Sequence, residues 1–256
     1  MILKVLRNFI SRRTIFAKAR NKIMNIYANY DFVKKARIEF EANRQKLQEP
    51  HTIIYFHKVD DPYSALTIEY VDKIASAFDV VLKPILVGEE NPETVHEPSL
   101  YSDYCLTDVN RIANYYGVSF SSKSYPEKNL INLANSILTS VDESDFVSIG
   151  KKVSRLLWQH DQSSLEQLSA KYQTSSEAVQ KKLEQGNNLR NEKNYYFGSA
   201  FYYGKELYWG VTISTNTFSK IYNLWFRGMI EYGSGNPGIP IPTSGVPEIY
   251  STNYGN

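Results

Sequence analysis

Residues 52–66 read Thr52-Ile-Ile-Tyr-Phe-His-Lys-Val-Asp-Asp-Pro-Tyr-Ser-Ala-Leu66, and this stretch decides the fold. Thr52 to His57 is a short β-branched and aromatic run suited to a buried strand. A helix should follow at once. Asp61 is placed as its N-cap and Pro62 suits its first position, while Leu66, Ile68, Val71, Ile74, Ala75 and Phe78 supply one apolar face. Val80 to Ile85 then reads as a second strand, and strand, helix, strand in so short a compass is a βαβ unit, so the sheet opens parallel.

Downstream, the pattern is helical for roughly a hundred residues. One helix carries Cys105, Val109, Ile112, Ala113 and Tyr116 and ends at Gly117, a residue suited to the left-handed conformation that closes helices. Another runs through Phe146, Ile149, Val153, Leu156 and Leu157. Ser163 with Glu166 and Thr174 with Glu177 have the spacing of capping boxes and mark two further helix starts. Ala200 to Tyr203 and Glu206 to Trp209, separated by Gly204 and Lys205, form a tight hairpin. Phe218 to Tyr232 reads as a closing helix. The last 24 residues hold four of the ten prolines and five of the thirteen glycines, a composition expected to be disordered.

Upstream, the charge is lopsided. The first fifty residues contain twelve bases and four acids, a net of +8, which leaves 17 bases and 23 acids for the rest of the 256-residue chain. Leu3, Leu6, Ile10, Phe16, Ala19, Ile23, Ile26, Tyr27 and Tyr30 recur at helical spacing among these bases. This is a basic amphipathic helix, suited to an anionic lipid surface or an acidic partner through residues 1–30, or to packing on its own domain with a solvated basic face. Charges interrupt the only apolar start, which excludes a spanning helix, and no small-residue cleavage site follows it. A cytoplasmic protein is expected. The whole-chain charge of +2 is too balanced to imply nucleic acid as a partner.

A single cysteine, Cys105, excludes a disulfide framework and any Cys-x-x-Cys centre. It should pack as a small hydrophobe. The histidines at 51, 57, 96 and 160 show no metal-ligand spacing. His57 and Lys58 end the first strand beside the turn, where they are placed to meet an anionic ligand. Tyr63 and Ser64 can offer hydroxyls to a ligand or to the backbone.

The order βαβ, helical segment, hairpin, helix is that of a thioredoxin-type α/β fold with an inserted helical domain. The string Ile54 to Leu66 resembles the opening strand and active-site turn of the DsbA-like superfamily. The likeness is nearest to the 2-hydroxychromene-2-carboxylate isomerases and kappa-class glutathione transferases, which carry a Ser-Pro-Tyr-Ser-like turn. Lys83-Pro-Ile-Leu-Val-Gly88, Arg111-Ile-Ala-Asn-Tyr-Tyr-Gly117 and Gly204-Lys-Glu-Leu-Tyr-Trp-Gly210 agree with it. The organisation implied is a basic helical arm (1–50), a thioredoxin-like domain (51–90 and 195–232), an inserted helical domain (91–194) and a Gly/Pro-rich tail (233–256).

The resemblance implies isomerase or transferase chemistry on a small molecule with glutathione as cofactor. Asp61 and Ser64 then stand at the catalytic positions, and His57, Lys58, Pro62, Tyr63 and Ser199 line the binding cleft. A homodimer is among the assemblies this reading allows. The alternative is a non-catalytic binding module, surface-associated through its basic arm. The chain departs from the family in three ways. Asp61 stands where the isomerases keep the serine that contacts glutathione sulfur, Ser199 falls where the family has a cis-proline, and Val211-Thr-Ile-Ser214 replaces an Asp-Arg pair. A cis bond before a non-proline residue costs about 2.5–4 kcal/mol, so a trans peptide is expected at Ser199. A helix N-terminus stabilises one anion, and a carboxylate fixed there should repel a thiolate and make a poor base near neutrality. Asp61-Pro62 can equally be no more than a good helix start.

Overall fold

The computed structural model describes residues 14–27, 30–77, 80–88, 97–172 and 174–209. The start of the basic arm, the expected closing helix, the Val211–Ser214 segment and the Gly/Pro-rich tail lie outside the described residues. The chain divides into two compact units, one holding residues 1–49 and 222–235, the other residues 50–221 and 236–256.

In the first unit, α1 (Thr14–Tyr27) and α2 (Tyr30–Leu47) carry the basic pattern as helices. Ile23 and Met24 of α1 are exposed although both are apolar. Near its end α2 is clamped by Arg44, which donates to both oxygens of Glu41 at 2.9 and 2.6 Å and to the Glu49 carbonyl at 2.5 Å. No helix among the described residues is long and apolar enough to cross a membrane.

Among the described residues, the second unit is built on a sheet of four strands, β1 (Thr52–His57), β2 (Val81–Leu86), β3 (Ala200–Tyr203) and β4 (Glu206–Trp209), in the order β2-β1-β3-β4. β1 and β2 run parallel, from Thr52 opposite Val81 to His57 opposite Leu86. β3 pairs antiparallel with β1, Tyr55 facing Phe201. Among the described strands β2 lies at the edge, where Pro84, a residue with no amide to give to a ladder, is tolerated. The hairpin turns through Gly204 and Lys205, both at positive φ (58° and 69°), the twist that a two-residue connection needs.

Successive strand residues point to opposite faces, and both faces are covered. On one side Phe56, Val87 and Ala200 form a buried cluster with Leu189 and Tyr195. On the other, Tyr55 stacks on Phe201 with ring centroids 5.0 Å apart. Between β2 and β3 the chain makes α5 (Pro98–Ile112), α6 (Lys128–Ser140), α7 (Phe146–Trp158), α8 (Gln162–Ser169) and α9 (Ser176–Glu192). α9 lies directly on β2: a Cβ at Gly186 would stand 1.9 Å from the Leu86 carbonyl oxygen, so the approach requires glycine.

Several sequence expectations are corrected. The helix after Asp61 is two helices, α3 (Pro62–Thr67) and α4 (Val71–Ala77). Thr67 folds its hydroxyl back onto the Tyr63 carbonyl at 2.8 Å, and the amides of Glu69 and Tyr70 bond three residues back, to Leu66 and Thr67. Such i−3 bonds tighten and end a helix. The two later helices start elsewhere: Asp161, not Ser163, caps α8 through the Ser164 amide, and Ser175, not Thr174, caps α9 through the Ala178 amide. Gly117 does sit at φ 64°, but after a 3-10 turn from Ala113 to Tyr116.

Candidate functional site

The end of β1 delivers the turn 58–61 to the N-terminus of α3, and hydrogen bonding there is dense. Asp61 Oδ2 accepts from the Ser64 amide at 2.9 Å and from the Ser64 hydroxyl at 2.8 Å, and Oδ1 accepts from the Tyr63 amide at 3.4 Å. Asp61 is therefore the N-cap that the sequence indicates. Ser64 is wholly buried, and its Oγ also accepts from the Lys58 amide at 3.2 Å. The hydroxyl is thus committed in both directions. Lys58 is buried and reaches Asp60 at 3.3 Å.

His57 faces inward. Its Nδ1 shares a 2.8 Å hydrogen bond with the Tyr55 hydroxyl, and its ring meets Phe146 edge-on at 5.8 Å. Burial pulls its pKa down to about 3, so it carries no positive charge for an anion at neutral pH. The Tyr55 phenol is pushed well above its ordinary value by burial, with the Asp61 charge adding to the effect.

A second loop, between α9 and β3, covers the turn. A Cβ at Gly198 would lie 2.7 Å from Asp61 Cβ and 2.8 Å from Oδ2, so the loop backbone rests on the carboxylate itself. Ser199 Oγ donates to Thr67 Oγ1 at 2.9 Å, and its carbonyl accepts from the Tyr195 hydroxyl at 3.2 Å. No peptide bond among the described residues is cis, so Ser199 has the trans peptide expected of it. Arg190, buried, donates to the Phe197 carbonyl of this loop at 3.3 Å and to the Gly88 carbonyl after β2 at 3.5 Å.

Three phenols complete the surroundings. The Tyr63 hydroxyl donates to Asp108 at 2.7 Å, that of Tyr125 donates to the Ser102 carbonyl at 3.0 Å, and the Tyr101 ring stacks on Phe197 at 5.6 Å. All three have raised pKa values, chiefly from burial. The charge of Asp61 adds to the shift at Tyr101 and Tyr125. All three remain neutral, and the hydroxyls of Tyr63 and Tyr125 are already given to Asp108 and the Ser102 carbonyl. Cys105 is buried on α5 and is no part of the turn.

Of the residues indicated by sequence, Asp61, Tyr63, Ser64, Lys58 and Ser199 thus meet around one turn. Pro62 is buried as the first residue of α3, and His57 belongs to the core behind it. Gly198, Tyr101, Tyr125, Asp108 and Arg190 were not indicated. The string Tyr195-Tyr-Phe-Gly-Ser199 was the available signal, since aromatic residues leading into a glycine mark a place where backbone comes close to something.

The arrangement fits poorly with a bound thiolate. The amides at the α3 N-terminus, which would hold an incoming anion, already hold Asp61, and Gly198 closes over it.

No protein-family model matches the chain, and no curated protein does. Six chains among solved structures match it. One is a 2-hydroxychromene-2-carboxylate isomerase, which aligns over 72% of this chain and 100% of its own with a TM-score of 0.52 and 14% identity. At that identity the likeness is one of fold, and the architecture is the thioredoxin-like α/β fold that the βαβ unit and the turn foretold.

Proposed function

We propose that the protein is a thioredoxin-fold binding module that holds a small-molecule ligand near the Asp61 turn and does not activate glutathione. The observation that speaks against glutathione activation is the Asp61 carboxylate, bonded by Ser64 and Tyr63 and covered by Gly198, while the ligand-holding role is supported by the fold shared with the isomerase. Two unit negative charges about 4 Å apart repel by about 4 kcal/mol at the effective dielectric of a partly buried site. A thiolate beside Asp61 would meet that repulsion with the helix amides already taken. Ser64 offers no replacement nucleophile, because its hydroxyl is buried and engaged on both sides.

A glutathione-linked isomerase or transferase is the second reading, favoured by the fold shared with the isomerase. The two readings separate in one calorimetric experiment with glutathione on the wild-type protein and on Asp61→Ser. Serine caps a helix about as well as aspartate but leaves the anion position vacant. The binding-module reading expects no heat from the wild type and measurable binding by the variant. Turnover by the wild type that Asp61→Ser abolishes would establish the enzyme reading instead.

A further inference from the structure

Residues 1–30 contain seven bases and no acid, and the first acid of the chain is Asp31. Three of those bases, Lys18, Arg20 and Lys22, lie on α1, which has no acid of its own to neutralise them. α2 differs. It carries five bases and three acids, and Arg44 is tied to Glu41. The uncompensated charge therefore belongs to α1 and the sequence before it, not to the arm as a whole.

α1 is also open. Every side chain from Lys18 to Asn25 is exposed, and the two apolar ones among them, Ile23 and Met24, are exposed by 54% and 60%. A helix that rested this stripe on protein would bury Ile23. Lys18 and Lys22 stand one turn apart and share a face with Asn21 and Asn25, while Ile23 and Met24 fall on the other side. Arg20, three and four residues before those two, lies beside both, and an arginine stem can run along apolar surface while its head reaches a polar layer. Lys18, Arg20 and Lys22 make no ion pair among the described residues.

Unpaired bases and bare apolar side chains on one helix suit a partner that sets negative charge beside hydrocarbon. A nucleic-acid backbone supplies the charge alone, and a neutral bilayer supplies the hydrocarbon alone. An anionic bilayer surface supplies both, at the depth where an amphipathic helix lies in the headgroup plane. We propose that α1 docks the protein on an anionic lipid surface, with Ile23 and Met24 inserted and Lys18, Arg20 and Lys22 at the headgroups. The inference is independent of the reading of the Asp61 turn.

The whole protein sedimented with vesicles of phosphatidylcholine containing phosphatidylserine, and with vesicles of phosphatidylcholine alone, tests it. The protein should bind the first, leave them at high salt, and ignore the second. Each base near an anionic surface is worth about fivefold in partitioning, so Lys18→Gln with Lys22→Gln should weaken binding about 25-fold. Ile23→Gln with Met24→Gln keeps every charge and should still weaken binding about tenfold, because it removes the inserted apolar surface. All four positions are exposed and glutamine is a good helix former, so far-UV circular dichroism should not change. Equal binding to both kinds of vesicle, or to neither, would overturn the proposal. So would binding that Ile23→Gln with Met24→Gln leaves unchanged, the result expected of a nucleic acid or an acidic protein as the partner.

Discussion

Replacing His57 by Asn should remove an acid sensitivity that the wild-type core carries. His57 is fully buried, its Nδ1 is bonded to Tyr55, and its pKa is about 3 against 6.5 in an open chain. Its folded pKa is depressed. The unfolded chain therefore takes up a proton as pH falls below about 6.5, while the folded protein does not until about 3, and stability present above the unfolded value is lost across that window. Each unit of difference is worth about 1.4 kcal/mol, so the descent from pH 7.5 to 4.5 removes about 2–3 kcal/mol through this one group. Asn keeps a polar partner for the Tyr55 hydroxyl but does not titrate. It lowers stability at pH 7.5 by leaving ring volume unfilled beside Phe146. Urea unfolding of both proteins at half-unit steps measures the gap between them, in which the contributions of other titrating groups cancel. The gap should shrink by about 2–3 kcal/mol between pH 7.5 and 4.5. A gap that stays constant would show that His57 is not held neutral by burial, and the reasoning would fail.

Two glycines separate rigid from yielding contacts. Gly186→Ala should cost about 3 kcal/mol or more, because the new methyl meets the Leu86 backbone, whereas Gly150→Ala should fall within about 1 kcal/mol of wild type, since it meets the flexible Cδ1 of Ile68 and gains helix propensity. Thermal unfolding of the two variants checks this, and equal losses would refute it. The protein should neither reduce insulin nor oxidise a reduced peptide, because its one cysteine is buried outside the turn; turnover abolished by Cys105→Ser would contradict that. Through its basic arm the protein should sediment with anionic vesicles in a salt-dependent way and not with neutral ones, and equal binding to both, or to neither, would exclude recognition of anionic lipid.

What the sequence made legible was local or periodic. The apolar run at Thr52–His57, the cap at Asp61 and the Gly204-Lys205 hairpin each announce themselves within a few residues, and each is found in its place. The break at 68–70 was hidden because Leu66, Ile68 and Val71 keep the apolar spacing of one helix, while the backbone yields to the Thr67 hydroxyl. The shift from Ser163 to Asp161 as a cap reflects rival oxygens within three residues, which spacing alone does not rank. The Asp61 surroundings were least legible. Gly198 closes over the carboxylate from 137 positions later, and Arg190 anchors that loop through the Phe197 carbonyl, a group that every residue carries.

Whether Asp61 stands in place of a ligand's negative charge is the central claim, and parallel calorimetric titrations of glutathione into wild type and Asp61→Ser address it most directly. The account predicts no binding by the wild type and restored binding by the variant, with any loss of stability by the variant confined to the difference between two good caps, a few tenths of a kcal/mol to about 1 kcal/mol. Glutathione binding by the wild type that Asp61→Ser weakens would contradict it and make the carboxylate a ligand-binding group.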